Sequence, residues 1–273
     1  MLLREVEYAR PGSVDEAVAL LSGHDGARAL AGGQTLVNVM KQRAASPDVL
    51  VDLAALDELR RIAIAGDTLE LGSMATYASI MASSEVDVAR PIVAEVVATI
   101  GDVQVRNRGT IGGNVCSSDP TNHLPPLFAA LGATFTIQGP GGVRWVDAAD
   151  FFVGVYMTAV GEGELLTKIS VPAAGHAGDG FAAVTIGADG TCIVSAAACL
   201  DGDGGARLAI GCVDAVPVVL QPGGTDEESV RAAVRDAGLE PPSDVHASAD
   251  YRRHLAEVCA VRAVRRAEER RGG

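Results

Sequence analysis

The chain has 273 residues, 48% hydrophobic and 21% charged, a balance that supports a sizeable core and excludes global disorder. Its 22 basic and 35 acidic side chains leave a net charge of −13, which argues against nucleic acid or an anionic membrane as partner. No apolar run approaches the roughly 18–20 residues of a membrane-spanning helix, and the N-terminus MLLREVEYARP has no secretory character.

Ser13-Val14-Asp15-Glu16 reads as a capping box, followed by Ala17, Val18, Leu20 and Leu21 on one helix face. Residues 27–31 predict a buried strand that runs into Gly32-Gly33-Gln34-Thr35. A helix over 36–43, Pro47 and a strand over 49–53 complete a strand–helix–strand unit. Strands over 61–65 and 68–71 flank Gly66-Asp67, a hairpin signal. Helices are expected over 76–81 and 90–100, the second with Ile92, Val93, Val96, Val97 and Ile100 on one face. A glycine-rich stretch, 109-GTIGGNVCSSDP-120, is read as a loop. After it come a helix over 124–131, a hairpin of 134–137 and 143–146, and a strand over 165–171 ending at Pro172. The small, polar stretch 173-AAGHAGDG-180 is read as a flexible domain boundary. Beyond it, strands over 192–200 and 206–213 pair, and helices follow over 226–237 and 250–271. The last helix carries Arg252, Arg253, Arg262, Arg265, Arg266, Arg270 and Arg271, read as a solvated face or as a docking surface. The pattern is α+β in two unequal parts, the first dividing near residue 60.

Five cysteines without a C-x-x-C pair argue against a zinc ribbon or an iron–sulfur cluster within the chain. Their odd number and the missing signal point to reduced thiols in a cytoplasmic protein. His24, His123, His176, His246 and His254 are scattered, which gives a metal site no support. The informative features are 30-LAGGQTLV-37 and 109-GTIGGNV-115. Paired glycines let backbone approach closely and form anion-binding nests, and amides at a helix N-terminus attract phosphate. Gln34, Thr35, Thr110 and Asn114 add polar side chains, so two such loops can hold the two phosphates of a dinucleotide, or be simple turns. Neither has Walker or Rossmann spacing. Asp119 and His123 form a candidate acid/base pair or a loop-capping Asp and a surface His. Arg106 and Arg108 are anion contacts or surface ion pairs.

At these segments the chain resembles the FAD-binding subunits of molybdenum hydroxylases, of the carbon monoxide dehydrogenase medium-subunit and xanthine dehydrogenase FAD-domain type. Residues 31–53, AGGQTLVNVMKQRAASPDVLVDL, look like the family's first flavin motif. Residues 104–133, QVRNRGTIGGNVCSSDPTNHLPPLFAALGA, look like the second, and GELLTKISVP (163–172) resembles its closing strand. The resemblance spans essentially the whole chain and implies a vanillyl-alcohol-oxidase-type fold. Residues 1–173 would form the FAD-binding domain, with subdomains of about 1–59 and 60–173, and 174–273 a small α+β C-terminal domain. Leu30, Ala31, Gly32, Gly33, Gln34, Thr35, Leu36 and Val37 would wrap the FAD pyrophosphate. Thr110, Ile111, Gly112, Gly113 and Asn114 would close on it, and Ile100, Leu166, Asp119 and His123 would also contact the cofactor. Two departures stand out. His123 occupies a position where many members carry an acid, and Cys192 lies near a position where some relatives carry a basic residue. The cysteine-bearing insertion of some relatives is absent.

The resemblance implies an electron-transfer subunit without catalytic side chains. It would pass electrons from the [2Fe–2S] clusters of a small subunit through FAD to an external acceptor. Substrate would be oxidised at the molybdenum cofactor of a large subunit, in a dimer of heterotrimers that is cytoplasmic and reaches the inner membrane face through its partners. The rival readings are a self-contained flavin oxidoreductase, for which Asp119, His123 and Tyr156 are the available acid/base groups, and a flavin-free scaffold.

Overall fold

A computed structural model describes residues 3–175, 177–187, 190–202 and 205–271. His176, within the stretch 173–180 considered above, lies outside the described residues. The chain forms an α+β fold with three main sheets, each with its own apolar cluster.

The first sheet is parallel. β1 (Glu7–Ala9) is followed by α1 (Val14–Gly23), β2 (Ala27–Leu30), α2 (Leu36–Lys41) and β3 (Val49–Asp52), and β3 lies between β1 and β2. Parallel neighbours need a crossover, and α2 supplies it between β2 and β3. The Ser13 hydroxyl accepts from Glu16 N and starts α1, while the Glu16 carboxylate reaches Gly12 N at 2.7 Å. Val14, Ala17, Val18 and Leu21 then cluster with Val49 and Val51.

The second sheet is antiparallel. It uses β4 (Ile62–Ala65) and β5 (Thr68–Gly72), which precede the short helices α3 (Tyr77–Met81), α4 (Ser84–Ala89), α5 (Pro91–Ala98), α6 (Val103–Arg108), α7 (Ile111–Ser117) and α8 (Leu124–Leu131). Next come β6 (Thr134–Gly139), β7 (Gly142–Asp147), α9 (Ala148–Phe151), the small pair β8 (Phe152–Gly154) and β9 (Met157–Thr158), and β10 (Leu165–Pro172). The order is β4-β5-β10-β6-β7, which places β10, the last strand made, at the centre. Leu69, Leu71, Phe135, Ile137, Leu166 and Ile169 turn one face toward the helices, where Phe135 stacks on Phe151 at 3.8 Å. Lys168 and Glu70 pair at 2.5 Å across adjacent strands. Trp145, on the outer strand β7, is 70% exposed.

The third sheet is a meander of β11 (Gly178–Ile186), β12 (Thr191–Leu200), β13 (Ala206–Gly211) and β14 (Val218–Leu220), followed by α10 (Glu227–Asp236) and α11 (Ala249–Arg270). α11 lies across β11 and β12, and α8 touches β12 and β13. A Cβ on Gly178 or Gly180 would overlap the carbonyl of Ala267 or Ala263, so helix and strand backbones touch through small residues. The stretch 173–180 is therefore not all linker: from Gly178 it is a core strand.

Three further expectations change. α4 and α6 have six residues each, too few for a periodic signal, and start at the side-chain caps Ser83 and Asp102. β1, β8, β9 and β14 are two or three residues long. The arginines of α11 are only partly a solvated face. Arg252 is buried and donates to Ile193 O at 2.5 Å, while Arg266 and Arg270 donate to the carbonyls of Phe181 and Asp179. Arg262 and Arg265 remain exposed, Arg265 at 3.9 Å from Glu227. No helix among the described residues is long and apolar enough to cross a membrane.

Candidate functional site

After Leu30 ends β2, the chain bends through Ala31, Gly32, Gly33, Gln34 and Thr35 before entering α2. Gly33 has φ +72°, a left-handed conformation that glycine adopts without strain. A Cβ on Gly32 would overlap the Arg108 carbonyl and press on Gly109, so this turn abuts the entry to the second motif directly. Gln34 Nε2 donates to Gly32 O, and Asn38 Nδ2 to Gln34 O at 2.7 Å, which stiffens the bend. The backbone amides of Gly32, Gly33, Gln34, Thr35 and Leu36 have no acceptor among the described residues. The Thr35 hydroxyl makes no capping bond, although Thr35 stands at the N-cap of α2. Unspent amides in a glycine bend at a helix entry attract an anion. Leu36, Val37 and Val39 are half-buried yet belong to none of the three apolar clusters, leaving an apolar shelf beside the bend.

The second motif works differently from the loop expected of it. Thr110 is the N-cap of α7 and its hydroxyl accepts from Gly113 N at 3.1 Å. Ile111 N donates to Ala75 O and Gly112 N to Ser73 O, both at 2.9 Å. These amides are spent within the protein, so the segment is a capped helix and not a nest. Its glycines serve close approach. A Cβ on Gly112 would collide with Ser73, and one on Gly113 would lie 3.6 Å from Ala31 Cβ. Asn114 is 9% exposed, and its Oδ1 is buried without a hydrogen-bond partner. Beside it, burial pushes the Tyr77 hydroxyl up to about 12, the neighbouring Asn114 amide opposing the shift.

The remaining candidates are more dispersed. Ile100 is half-buried at the edge of the large cluster, and its carbonyl accepts from Arg106. Leu166, opposite Ile137, and Ile111 have their side chains inside the core. Asp119 caps its own turn, with Oδ1 accepting from Thr121 N at 2.9 Å and from Thr121 Oγ1 at 2.8 Å. Its Oδ2 receives the Tyr156 hydroxyl at 3.4 Å, which raises the pKa of that phenol through the nearby negative charge. His123 faces elsewhere, with Nδ1 at 3.3 Å from Thr99 Oγ1 and its ring 5.2 Å from that of Phe181. The two therefore do not form an acid/base pair. Arg106 is occupied by the carbonyls of Ile100 and Gly101, whereas the exposed Arg108 side chain has no partner among the described residues.

One grouping was not visible in the sequence. His123, Cys192 and Cys212 come together where the third sheet meets the helices of the second, and only packing reveals it. No group of three or more His, Cys, Asp or Glu residues suited to a metal occurs among the described residues.

Comparison with known proteins shows the family of the chain. Residues 4–174 match the family described as FAD binding domain in molybdopterin dehydrogenase. The carbon monoxide dehydrogenase medium chain of Afipia carboxidovorans is 37% identical over 99% of both chains. The glyceraldehyde dehydrogenase medium chain of Sulfolobus acidocaldarius is 33% identical over 95% of this chain and 97% of its own. Among solved structures, a chain of carbon monoxide dehydrogenase from Hydrogenophaga pseudoflava, in a form lacking the Mo-pyranopterin moiety, superposes with a TM-score of 0.93 at 35% identity over all of both chains.

Proposed function

This chain belongs to the FAD-binding, medium-subunit family of the molybdenum hydroxylases, and from that premise we propose that it is the electron-transfer subunit of a larger oxidoreductase. Bound FAD supplies the redox chemistry, accepting and releasing electrons singly or in pairs. The chain binds and orients it. In this reading the five unspent amides of Gly32 to Leu36, with the Thr35 hydroxyl, hold the pyrophosphate, and these amides are the observation that carries the proposal. Leu30, Ala31, Leu36 and Val37 supply apolar contact on the same side. α7 holds the cradle closed from the other side through Thr110, Ile111, Gly112 and Gly113, and the unpartnered Oδ1 of Asn114 is a further acceptor. Ile100, Asp119, His123 and Leu166 would be the chain's further contacts with the cofactor.

The FAD-binding domain is taken as residues 1–173, divided at about residue 60, and the C-terminal domain as 174–273. The proposed partners are a large subunit with the molybdenum cofactor and a small [2Fe–2S] subunit, in a dimer of heterotrimers located in the cytoplasm. An external acceptor takes the electrons from FAD. The medium chains of carbon monoxide and glyceraldehyde dehydrogenases are both similar to this one over nearly their whole length. That similarity supports placing the choice of substrate in another subunit.

The test is the chain purified alone, titrated with FAD and then reduced with dithionite. Bound flavin absorbance that bleaches, without turnover of an organic substrate, is the expected result. A chain that retains no FAD even when co-expressed with its partner subunits overturns the proposal.

A further inference from the structure

Two cysteines that the cradle does not use lie together against the first domain. β12 and β13 pair as far as Ser195 opposite Gly211, so a continued ladder would set Cys212 beside Val194 and diagonal to Cys192. Diagonal neighbours on antiparallel strands are within side-chain reach. A bulge at this end of β12 and the φ of +67° at Cys212 both bend the chain out of the regular ladder. Cys192 is 2% exposed and Cys212 6%, and Cys212 Sγ lies 3.1 Å from Pro120 O.

His123 faces the pair from the other domain. The Thr99 hydroxyl gives its hydrogen to Val96 O at 2.7 Å, so toward the imidazole it accepts, and His123 Nδ1 carries the hydrogen between them. That leaves Nε2 for Cys192. The neighbouring Cys212 thiol and the His123 ring favour the Cys192 thiolate and bring its pKa down to about 5 against the cost of burial. The Cys212 thiol moves well above its usual range, first because it bonds to Cys192 and then because it is buried. The other titratable or charged groups acting on the pair are Arg252 and Asp119 at Cys212 and the Cys259 thiol at Cys192.

We propose that Cys192 and Cys212 form a thiol-oxidation site, converted by hydrogen peroxide into an intramolecular disulfide, with His123 positioning Cys192 as the reacting sulfur. The Cys192 thiolate attacks one peroxide oxygen, the O–O bond breaks, and hydroxide leaves Cys192 as a sulfenic acid. Cys212 then attacks that sulfur, the S–S bond forms, and the sulfenic oxygen leaves as water. In sum, two thiols lose two electrons and two protons, and one peroxide becomes two waters. The disulfide removes the Cys212 S–H, whose sulfur sits 3.1 Å from Pro120 O, and the thiolate opposite His123. Both anchor the segment after α7, whose Asn122 donates to the Asn114 carbonyl. Resting on the function proposed above, oxidation therefore weakens FAD retention.

The experiment treats the FAD-free chain with hydrogen peroxide, denatures it, alkylates it and weighs it. Alkylatable thiols should fall from the five free cysteines by two, with a linked peptide joining Cys192 and Cys212. In Cys212→Ser, a sulfenic acid trapped by dimedone at Cys192 is expected instead, with thermal melting confirming that the variant folds. Full alkylation after peroxide, or a link to Cys259, overturns the proposal. FAD titration of the oxidised and reduced chains is the second readout, with severalfold weaker binding expected after oxidation. Equal binding overturns the link to the cofactor. Absence of binding in both states, persisting when the chain is co-expressed with its partner subunits, would overturn the flavin reading while leaving the thiol result intact.

Discussion

Glycine is required for different reasons at three positions of the cradle. Gly33 needs the left-handed backbone, Gly32 the contact with Arg108, and Gly112 the contact with Ser73. Gly33→Ala adds left-handed strain of roughly 1–2 kcal/mol to the anion-binding bend, and FAD titration should show weakened binding together with a modestly lowered melting temperature. Gly112→Ala should cost about 1–3 kcal/mol of stability by overpacking against Ser73, read as a lowered denaturation midpoint. The Cys192 thiol adds a pH dependence. Its folded pKa, about 5, lies below the unfolded thiol value. The stabilisation is therefore fully present above an unfolded value of about 8.5 and disappears as pH falls through the folded one. The melting-temperature advantage of the wild type over Cys192→Ser should shrink as the solution is acidified toward about pH 5. The first glycine turn was legible because a strand precedes it and a helix follows. The second was not: a nest and a capped helix start share the same residues, and Ser73 and Ala75, distant in sequence, decide which one forms.

Among the elements, those with strong local signals were legible. The hairpins at Gly66-Asp67 and around residues 139–142, the helix over 124–131 and the long last helix all lie where their turn residues and periodicity put them. β11 was hidden because Gly178 and Gly180 resemble a linker, yet their lack of side chains is what admits α11. A Gly180→Val chain keeps strand propensity but holds the helix off the sheet. It should lose about 1–3 kcal/mol or more as overpacking, seen as a lower thermal midpoint and faster proteolysis of residues 249–271.

At the scale of the whole molecule, the second and third sheets are joined by a buried ion pair. Arg90, at the start of α5, bonds Asp179 at 2.5 Å and Pro172 O at 2.9 Å, and the two charged side chains are 2% and 6% exposed. Burial pushes the Asp179 carboxyl above the usual carboxylate range, while Arg90 pulls it back. Removing one partner of such a pair is costly because the other charge stays buried. Arg90→Met should destabilise the chain by about 3–5 kcal/mol, and the double variant Arg90→Met with Asp179→Leu should recover most of that in urea denaturation. Arg270 extends the junction to Glu95 at 2.8 Å, so the last helix made also closes onto the first domain.

The sole tryptophan, Trp145, stands on an outer strand and remains 70% in solvent. Its indole therefore experiences nearly the same polar surroundings in the native chain as in the unfolded one. Intrinsic fluorescence is accordingly a poor indicator of denaturation here and a sensitive one for docking. A partner that covers β7 would shift the emission to the blue without any added dye, and one that docks elsewhere would leave it unchanged.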